Sequence, residues 1–246
     1  MIKYLILIIF AVPRIIYSQI VLFHMRLHKN KYSLQQRYDV LRKTAMWVNK
    51  LTRCKLDVIN KEIITTPHEK GRVYVSNHLS LFDCLAYIEL STKPLIFISK
   101  KENSKIPILR NHILAVDSLF IDRKDPRQSL KVCKQAGLLA KEKNLDVVIF
   151  AEGTRSKNGC VNQFKAAFPT IIHYGEVETV LLCIYNSTAP LKFNLFTYPK
   201  ANVKIKVFEP LSFEYYKVNR KEFSNVSHDI ISKQLEEFKK EKALWI

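Results

Sequence analysis

The sequence predicts an α/β fold, with a mixed, largely parallel sheet flanked by helices and an N-terminal membrane-associated helical segment. Short apolar runs typical of strands alternate with segments of helical periodicity. Two runs, residues 146–150 and 179–185, are almost continuously hydrophobic, which is typical of central strands covered on both faces. The chain has 246 residues, enough for one such domain with a terminal appendage.

The N-terminus carries two apolar stretches, residues 1–12 and 15–25, separated at Pro13. Each is too short to cross a bilayer comfortably, so we expect the pair to dip into one leaflet. A signal peptide is the alternative, but no clear small-residue cleavage site follows. Residues 26–55 then carry nine Lys or Arg against the single acid Asp39. This imbalance predicts attraction to anionic headgroups and a cytoplasmic location for the flank.

Within the basic flank, one side of a predicted helix is apolar, because hydrophobic residues recur at helical spacing: Leu34, Tyr38, Leu41, Ala45 and Val48. Arg37, Arg42 and Lys43 are expected elsewhere on this helix. The apolar side could pack on the α/β domain or lie on the membrane, and the pattern alone leaves both open. We therefore divide the chain into residues 1–55, a membrane anchor with a basic amphipathic helix, and residues 56–246, the α/β domain.

The elements of the α/β domain follow in order from the same patterns. Strands are predicted near residues 73–76, 94–98, 118–122, 146–150 and 179–185. Helices are predicted near residues 80–90, 126–143 and 164–174. Residues 203–207 alternate between apolar and charged side chains, which predicts a half-exposed strand near an edge. Residues 223–244 predict a terminal helix with a solvated charge run.

The formal net charge of +18 indicates a polyanionic partner, either a nucleic acid or an anionic lipid surface. No RNA-binding signature or zinc-ligand spacing supports nucleic acid, so an anionic membrane surface is the favoured partner. The five cysteines are scattered singly, without metal-like pairing, and predict reduced thiols: Cys54, Cys84, Cys133, Cys160 and Cys183. No metal site and no cofactor are expected.

His78 and Asp83 stand five residues apart, directly after the strand predicted at residues 73–76. A histidine can accept a proton near neutral pH, and a nearby carboxylate can fix its tautomer and stabilise its charged form. The pair therefore indicates general-base activation of a hydroxyl, although capping or a local hydrogen bond is a common alternative reason for such a pair. Ser80 and Cys84 are nearby alternative nucleophiles, but neither has the glycine-flanked turn of a hydrolase nucleophile elbow.

Two later segments bring anion-binding groups to predicted strand ends, where open α/β sheets bind their ligands. Arg123 ends the apolar run that contains Phe120, and Arg155 lies in the loop that follows residues 146–150. Either guanidinium can fork onto a phosphate, and Gly153 in the same loop lets the backbone approach it closely. A solvated loop cation or a surface ion pair is the alternative for each arginine.

Three ordered blocks resemble the glycerolipid acyltransferase family, most closely the 1-acylglycerol-3-phosphate O-acyltransferases, which make phosphatidic acid. The blocks are Asn77-His78 with Asp83, then Phe120 with Arg123, then Glu152-Gly153-Thr154-Arg155. The likeness covers roughly residues 70–185, including the segment around Lys165. It implies a catalytic pair, His78 as base with Asp83 as its partner. It also implies a substrate-binding set formed by Asn77, Phe120, Arg123, Glu152, Gly153, Thr154, Arg155 and Lys165.

The chain departs from the family pattern at three points. Asp117 stands where the family usually has a glycine that opens the second block, so an acidic group is expected close to the phosphate site. Ala151 replaces the usual proline before Glu152, which is expected to loosen the turn. The fourth block, which we place at residues 179–185, keeps the apolar character and lacks the family's proline.

The resemblance implies transfer of a fatty acyl group from acyl-CoA or acyl-carrier protein to the free hydroxyl of 1-acylglycerol 3-phosphate, a lysophosphatidic acid. His78 would act as the general base without a covalent acyl-enzyme, and backbone amides near the start of the following helix are candidate oxyanion donors. The enzyme is expected at the membrane, with its catalytic domain on the cytoplasmic side. One alternative keeps the chemistry with glycerol 3-phosphate or another lysophospholipid as acceptor, as Asp117 suggests. Another is a non-catalytic basic protein that binds membranes or nucleic acid.

Overall fold

The computed structural model describes residues 7–156, 159–191 and 200–243. The strands, in chain order, are β1 (Cys54–Ile59), β2 (Arg72–Ser76), β3 (Leu95–Lys100), β4 (Leu119–Ile121), β5 (Asp146–Phe150), β6 (Glu178–Tyr185) and β7 (Ala201–Val207). The α-helices are α1 (Val12–Leu27), α2 (Leu34–Leu51), α3 (Glu62–Thr65), α4 (Phe82–Leu90), α5 (Pro107–Ala115), α6 (Pro126–Glu142), α7 (Pro169–Gly175), α8 (Phe213–Val218) and α9 (Phe223–Ala243). Short turns of other helix types occur at Leu7–Ala11, Lys101–Lys105 and Ala189–Leu191.

The strands form one sheet in the order β1-β7-β6-β2-β5-β3-β4. The five strands from β6 to β4 are mutually parallel, whereas β7 pairs antiparallel with β6 and carries β1 parallel to itself. The predicted mixed, largely parallel sheet is confirmed. Because parallel strands end at the same edge, the loops that follow β2, β4 and β5 all leave the sheet on one side.

Helices cover both faces of the sheet. Successive side chains of a strand point to opposite faces, so Tyr74 packs in one core while Val73 and Val75 pack in the other. The first core is closed by α1, α2, α4 and α5, and the second by α6, α7, α8 and α9. This double coverage explains why β5 and β6 are almost continuously buried, as their hydrophobic runs predict.

Several features of the α/β domain differ from the sequence prediction, among them three helices that were not expected, α3, α5 and α8. The helix predicted at residues 164–174 begins only at Pro169, whose fixed φ suits the first helical position. Residues 161–168 instead form a loop and turn that return to the end of β5. The edge strand β1 was not expected, and the boundary drawn between residues 55 and 56 falls inside it. Its burial alternates along the chain, so it lacks the continuous apolar run of a central strand.

The C-terminal expectations hold where they can be compared. The strand predicted at residues 203–207 corresponds to β7, which lies one strand from the edge and buries every second residue. The terminal helix begins at Phe223 as predicted and is described to Ala243, while Leu244 lies outside the described residues. At the other end, the first six residues of the N-terminal apolar stretch also lie outside them.

The basic amphipathic helix, α2, packs on the α/β domain. Tyr38, Leu41 and Ala45 belong to the first core, which resolves the two options left open by the periodicity. Arg37, expected away from the packed side, is instead 4% exposed. This burial is possible because its guanidinium donates to the carbonyl oxygen of Ala115 and pairs with a carboxylate.

Helix α1 has one packed side and one open side. Ser18, Leu22 and Met25 are buried against the rest of the molecule, and the Asn111 side-chain amide of α5 donates to the backbone oxygen of Gln19 at 3.0 Å. The open side presents large apolar side chains that are 44–65% exposed: Val12, Ile16, Tyr17, Ile20, Phe23 and Leu27. Within the part of the chain that the structure describes, no helix is long and apolar enough to cross a membrane.

Asp117 ties the N-terminal helices to the sheet. Its carboxylate pairs with Arg37 of α2 at 2.9 Å and with Lys29 of the α1–α2 connection. Its backbone φ is +55°, a left-handed conformation that an aspartate tolerates better than most residues and that a glycine adopts freely. The glycine expected from the resemblance thus suits the backbone here, and the carboxylate adds an ion pair.

We expect Asp117→Asn to lower the free energy of unfolding by about 1–3 kcal/mol, because it leaves the buried Arg37 guanidinium without its counter-charge. Burial raises the pKa of Asp117, but hydrogen bonds from Arg37 and Lys29 outweigh it and hold that pKa below its usual value. A carboxyl group with a lowered pKa loses its stabilising contribution as pH falls, so the difference should vanish in the acid range, below about pH 4. Denaturant unfolding at several pH values measures it. Glu214→Gln, which removes a solvent-exposed partner of Lys217, is the control and should change little.

Candidate active site

His78 and Asp83 meet at the carboxyl end of β2. The chain leaves the strand after Ser76, turns through five residues and enters α4, which brings Asp83 back under the histidine ring. His78 Nδ1 lies 2.7 Å from Asp83 Oδ2, and Asp83 is fully buried. A carboxylate can only accept here, so Nδ1 carries the hydrogen and Nε2 is left as the basic nitrogen.

Asp83 organises the whole turn through a single oxygen. Besides the histidine, Oδ2 accepts the backbone N–H groups of Leu79 at 2.7 Å and Ser80 at 3.0 Å. The backbone amides of Phe82 and Asp83 are also engaged, by the side chain and the backbone oxygen of Ser80. Backbone amides near the start of α4 were the candidate oxyanion donors, and these four are already committed within the turn.

The histidine ring is held by a stacking contact on its face as well as by the hydrogen bond at Nδ1. It stacks on Phe150, the last residue of β5, with ring centroids 4.1 Å apart. The side chain of His78 is 13% exposed, whereas that of Asp83 is 0% exposed. Among the described residues Nε2 has no hydrogen-bond partner, so an incoming hydroxyl can reach it.

Glu152, predicted as a substrate-binding residue, is fully buried and joins two loops. Its Oε1 accepts the backbone N–H of His78 at 2.8 Å, while Oε2 accepts both the backbone N–H and the side-chain amide of Asn162 at 2.8 and 2.7 Å. Burial raises the pKa of Glu152, and these hydrogen bonds offset part of that effect. Both oxygens are therefore used inside the protein. Sequence reasoning missed Asn162, which lies ten residues away in a loop and belongs to no recognisable block.

The replacement of proline by Ala151 does not loosen the turn. The Ala151 N–H donates to the backbone oxygen of Ser76 at 3.2 Å, a bond that a proline could not make. The Ala151 carbonyl in turn accepts the N–H of Lys165 at 2.8 Å. The loop after β5 is thus fastened on both sides by the residue that was expected to weaken it.

Gly153 is the point where the loop after β5 demands a glycine. Its φ is +69°, and a Cβ atom at this position would lie 3.0 Å from the Cγ atom of Lys165. The side chain of Lys165 therefore lies over the loop, beside Thr154 and Arg155, which are both exposed. The structure brings these predicted substrate-binding residues together next to His78, since β2 and β5 are neighbours.

The second predicted block lies at the same edge of the sheet but farther away. Arg123 follows β4, which is separated from β5 by β3, so the two strand ends are about 10 Å apart. Arg123 is exposed and has no hydrogen bond or ion pair with any residue that the structure describes. Phe120 is half-buried within β4.

The expectation that Asp117 lies close to the phosphate site is wrong. Asp117 precedes β4, whereas Arg123 follows it, and an extended segment of this length separates them by up to about 20 Å. The carboxylate is also neutralised by Arg37 and Lys29. An acid at this position therefore gives no reason to favour another acceptor.

Asn77 is fully buried, and its side chain forms hydrogen bonds to the backbone of the neighbouring strand β6. Its side-chain amide donates to the carbonyl oxygen of Ile184 at 2.9 Å, and its side-chain oxygen accepts the N–H of the same residue at 2.8 Å. The residue that precedes the histidine thus locks the end of β2 to β6. Both polar atoms of the side chain are engaged, which makes Asn77 a positioning residue in this geometry.

The two alternative nucleophiles are occupied or inactive. The Ser80 hydroxyl donates to the Ser187 carbonyl at 2.7 Å and accepts the Phe82 N–H, as a residue that caps a turn would do. Burial raises the pKa of the Cys84 thiol to about 12, so it is not a thiolate near neutral pH. All five cysteines are free.

A buried carboxylate that holds a histidine by one nitrogen and leaves the other open, at the carboxyl edge of an α/β sheet, is an arrangement suited to general-base chemistry. A family model described as Acyltransferase matches residues 55–180, just over half of the chain and the segment that contains every residue named above from His78 to Lys165. The chain belongs to this acyltransferase family.

Several relatives carry the name 1-acyl-sn-glycerol-3-phosphate acyltransferase. The protein from Limnanthes alba is 26% identical over 176 residues, which cover 71% of this chain and 63% of the relative. The one from Haemophilus influenzae is 24% identical over 171 residues, covering 69% and 70%. The chain thus spans less than two thirds of the Limnanthes alba relative. The crystal structure of PlsC, the 1-acyl-sn-glycerophosphate acyltransferase of Thermotoga maritima, has the same fold, with a TM-score of 0.69, 22% identity and coverage of 97% of this chain and 95% of that one.

Proposed function

We propose that the protein transfers a fatty acyl group from a thioester donor, acyl-CoA or acyl-carrier protein, to the free hydroxyl of 1-acylglycerol 3-phosphate, giving phosphatidic acid. The observation that carries the proposal is the 2.7 Å contact between His78 Nδ1 and the buried Asp83, with Nε2 left open. The names of the relatives support the acceptor, and the family match supports the reaction type. No cofactor is needed for this chemistry.

In the proposed mechanism, Nε2 of His78 takes the proton of the acceptor hydroxyl while its oxygen attacks the thioester carbonyl carbon. Asp83 stabilises the imidazolium that forms. As the tetrahedral intermediate collapses, the carbon–sulfur bond breaks and the thiolate leaves, taking the proton back from His78. No acyl-enzyme forms, which agrees with the engaged hydroxyl of Ser80 and the raised pKa of Cys84.

The cations around the site are proposed to bind the acceptor's phosphate. Thr154 and Arg155 lie in the loop after β5, the side chain of Lys165 lies over Gly153 of that loop, and Arg123 follows β4 at the same edge of the sheet. Guanidinium groups suit this role because they can donate two parallel hydrogen bonds to one phosphate. Glu152 and Asn77 are proposed to position the backbone that carries these groups, and half-buried Phe120 to contribute an apolar wall.

His78→Ala should lower the rate of acyl transfer by about 100- to 10,000-fold, because it removes the base. Asp83→Asn should leave a measurable residual rate, since the imidazole remains but its tautomer and orientation are no longer fixed. The control is His68→Ala, which breaks a second His–Asp pair, His68 with Asp146 at 2.9 Å, at the opposite end of the sheet. It should affect stability without abolishing transfer. Near-normal transfer by a folded His78→Ala protein would remove the mechanism.

Arg155→Ala should cut the catalytic efficiency with the acceptor by roughly 10- to 150-fold, the effect of losing a charge-assisted hydrogen bond of about 1.5–3 kcal/mol. Arg123→Ala should have a smaller effect of the same kind, because β4 lies farther from His78. Lysine at either position should rescue only in part, since an ammonium lacks the bidentate fork. Steady-state kinetics with donor and acceptor varied separately test this. If the variants were impaired only in saturation by the donor, the proposal that these arginines bind the acceptor would be contradicted.

We further propose that the protein works on an anionic membrane surface, with its catalytic domain on the cytoplasmic side. The open apolar side of α1 would enter the headgroup region, and the cations of residues 26–55 would attract acidic lipids. Met25 and Leu22 of α1 are part of the packed molecule, so deleting the helix would disturb the fold. Point substitutions on the open side are the better test.

Ile16→Gln combined with Ile20→Gln should weaken binding to anionic vesicles by about 10- to 100-fold, because two half-exposed apolar side chains can no longer be buried in lipid. Sedimentation with vesicles at low and high salt measures this, and the residual binding should be salt-sensitive. Ile59→Gln combined with Val218→Gln, two exposed apolar residues elsewhere, is the matched control. Equal binding by both double variants would place the membrane contact on another surface.

A further inference from the structure

A cleft with a cavity volume of about 680 Å³ lies outside the site described above, between α6, α7 and the α8–α9 region. A volume of this size is typical of small-molecule sites, which run from about 300 to 1,000 Å³. It lies on the outer surface of the helical layer that closes the second core. Neither the general base nor the predicted phosphate-binding residues line it.

The cleft is strongly basic. Four cations and a histidine line it, Lys131, Lys134, Arg220, Lys221 and His173, and no acidic side chain does so among the described residues. The cations just outside it are neutralised, since Lys141 pairs with Glu176 and Lys217 with Glu214. By contrast, Lys131, Arg220 and Lys221 form no ion pair with any described residue. Uncompensated charge concentrated in a concave surface attracts anions.

The walls of the cleft are held in place before any ligand arrives. Helices α6 and α7 pack so closely that a Cβ atom at Gly137 would collide with the carbonyl oxygen of Ile171. One turn earlier, the Lys134 ammonium lies 4.6 Å from the centre of the Tyr174 ring, a cation–π contact. Tyr216 is buried and its hydroxyl donates to the carbonyl oxygen of Pro169 at 3.2 Å. Such a preformed site loses little conformational entropy on binding.

One margin of the cleft adjoins the active-site loop. Ala166 lines the cleft, and its neighbour Lys165 donates its N–H to Ala151 and lies over Gly153. A ligand could therefore reach from the cleft to His78 around the edge of the sheet. The first core, with α1 and its exposed apolar side, is on the opposite face. A molecule that spans this edge would have its acyl chain towards the apolar face and its charged end in the cleft.

We propose that the cleft binds the phosphorylated nucleotide end of a coenzyme A thioester, with Lys131, Arg220 and Lys221 as its phosphate ligands. This inference rests on the proposed function. Several phosphates match several unpaired cations, and the rings of His173 and Tyr174 with the exposed Leu130 offer surfaces for a flat base. A lipid headgroup fits less well, because the cleft lies on the face away from α1. In this proposal the donor is a small nucleotide thioester, and an acidic carrier protein is the alternative that the test distinguishes.

The test compares two triple variants with the same change in net charge. The first is Lys131→Gln, Arg220→Gln and Lys221→Gln, which removes three of the four cations that line the cleft and leaves Lys134 on the Tyr174 ring. The matched control is Lys141→Gln, Lys217→Gln and Lys239→Gln, three lysines outside the cleft that each pair with a glutamate. Calorimetric titration with coenzyme A, with adenosine 3′,5′-bisphosphate and with inorganic phosphate measures binding without any reaction.

The cleft variant should bind coenzyme A and the bisphosphate at least about 10-fold more weakly than the control, and inorganic phosphate should bind weakly to both. In steady-state assays its KM for acyl-CoA should rise, with kcat and the KM for the acceptor unchanged. Equal coenzyme A binding by both variants would overturn the assignment. So would a defect seen only with acyl-carrier protein or only with anionic vesicles. A third outcome is that the cleft variant loses coenzyme A binding while the unaltered protein transfers no acyl group. That outcome would refute the proposed function but would still support coenzyme A binding in the cleft.

Discussion

The candidate active site depends on one oxygen atom, Asp83 Oδ2. It receives the imidazole of His78 and two consecutive backbone amides, so the ring and the turn that carries it are set by the same acceptor. Asp83 is buried, and a buried carboxylate is tolerated only when donors compensate its charge. These donors are therefore a condition for burial as well as a means of aiming the ring. The geometry of the base and the fold of the turn cannot be separated.

A second buried carboxylate repeats this arrangement one strand away. Glu152 collects the backbone N–H of His78 and two donors from Asn162, so His78 is held through its ring by one acid and through its backbone by another. Parallel pairing of β2 with β5 is what brings these acids side by side, since the loops after both strands leave the same edge. The exposed cations Arg155 and Lys165 are thus carried by a rigid backbone, and their long side chains are the adaptable part of the site.

The features that the sequence predicted correctly depend on short-range pattern. The hydrophobic runs of β5 and β6 and the spacing of His78 and Asp83 are local, and the structure has the strands and brings the two side chains into contact. Contacts between residues far apart in the sequence could not be predicted from local patterns. Asp117 finds Arg37 eighty residues away, a pairing that no local pattern signals. The apolar spacing of Phe164 and Phe168 predicted a helix, but both pack into the second core from a loop and turn, where burial and not helical periodicity sets their spacing.

The two hydrogen bonds between the Asn77 side chain and Ile184 affect how the molecule should respond to heat. Two hydrogen bonds bind the residue before the histidine to Ile184, within a strand that is itself paired on both sides. Amides in such central strands exchange with solvent only when the whole domain opens. The proposed base, His78, is thereby coupled to the most protected part of the sheet and not to a fraying loop. Thermal inactivation should therefore coincide with cooperative melting, without a preceding stage in which a folded molecule has lost its base.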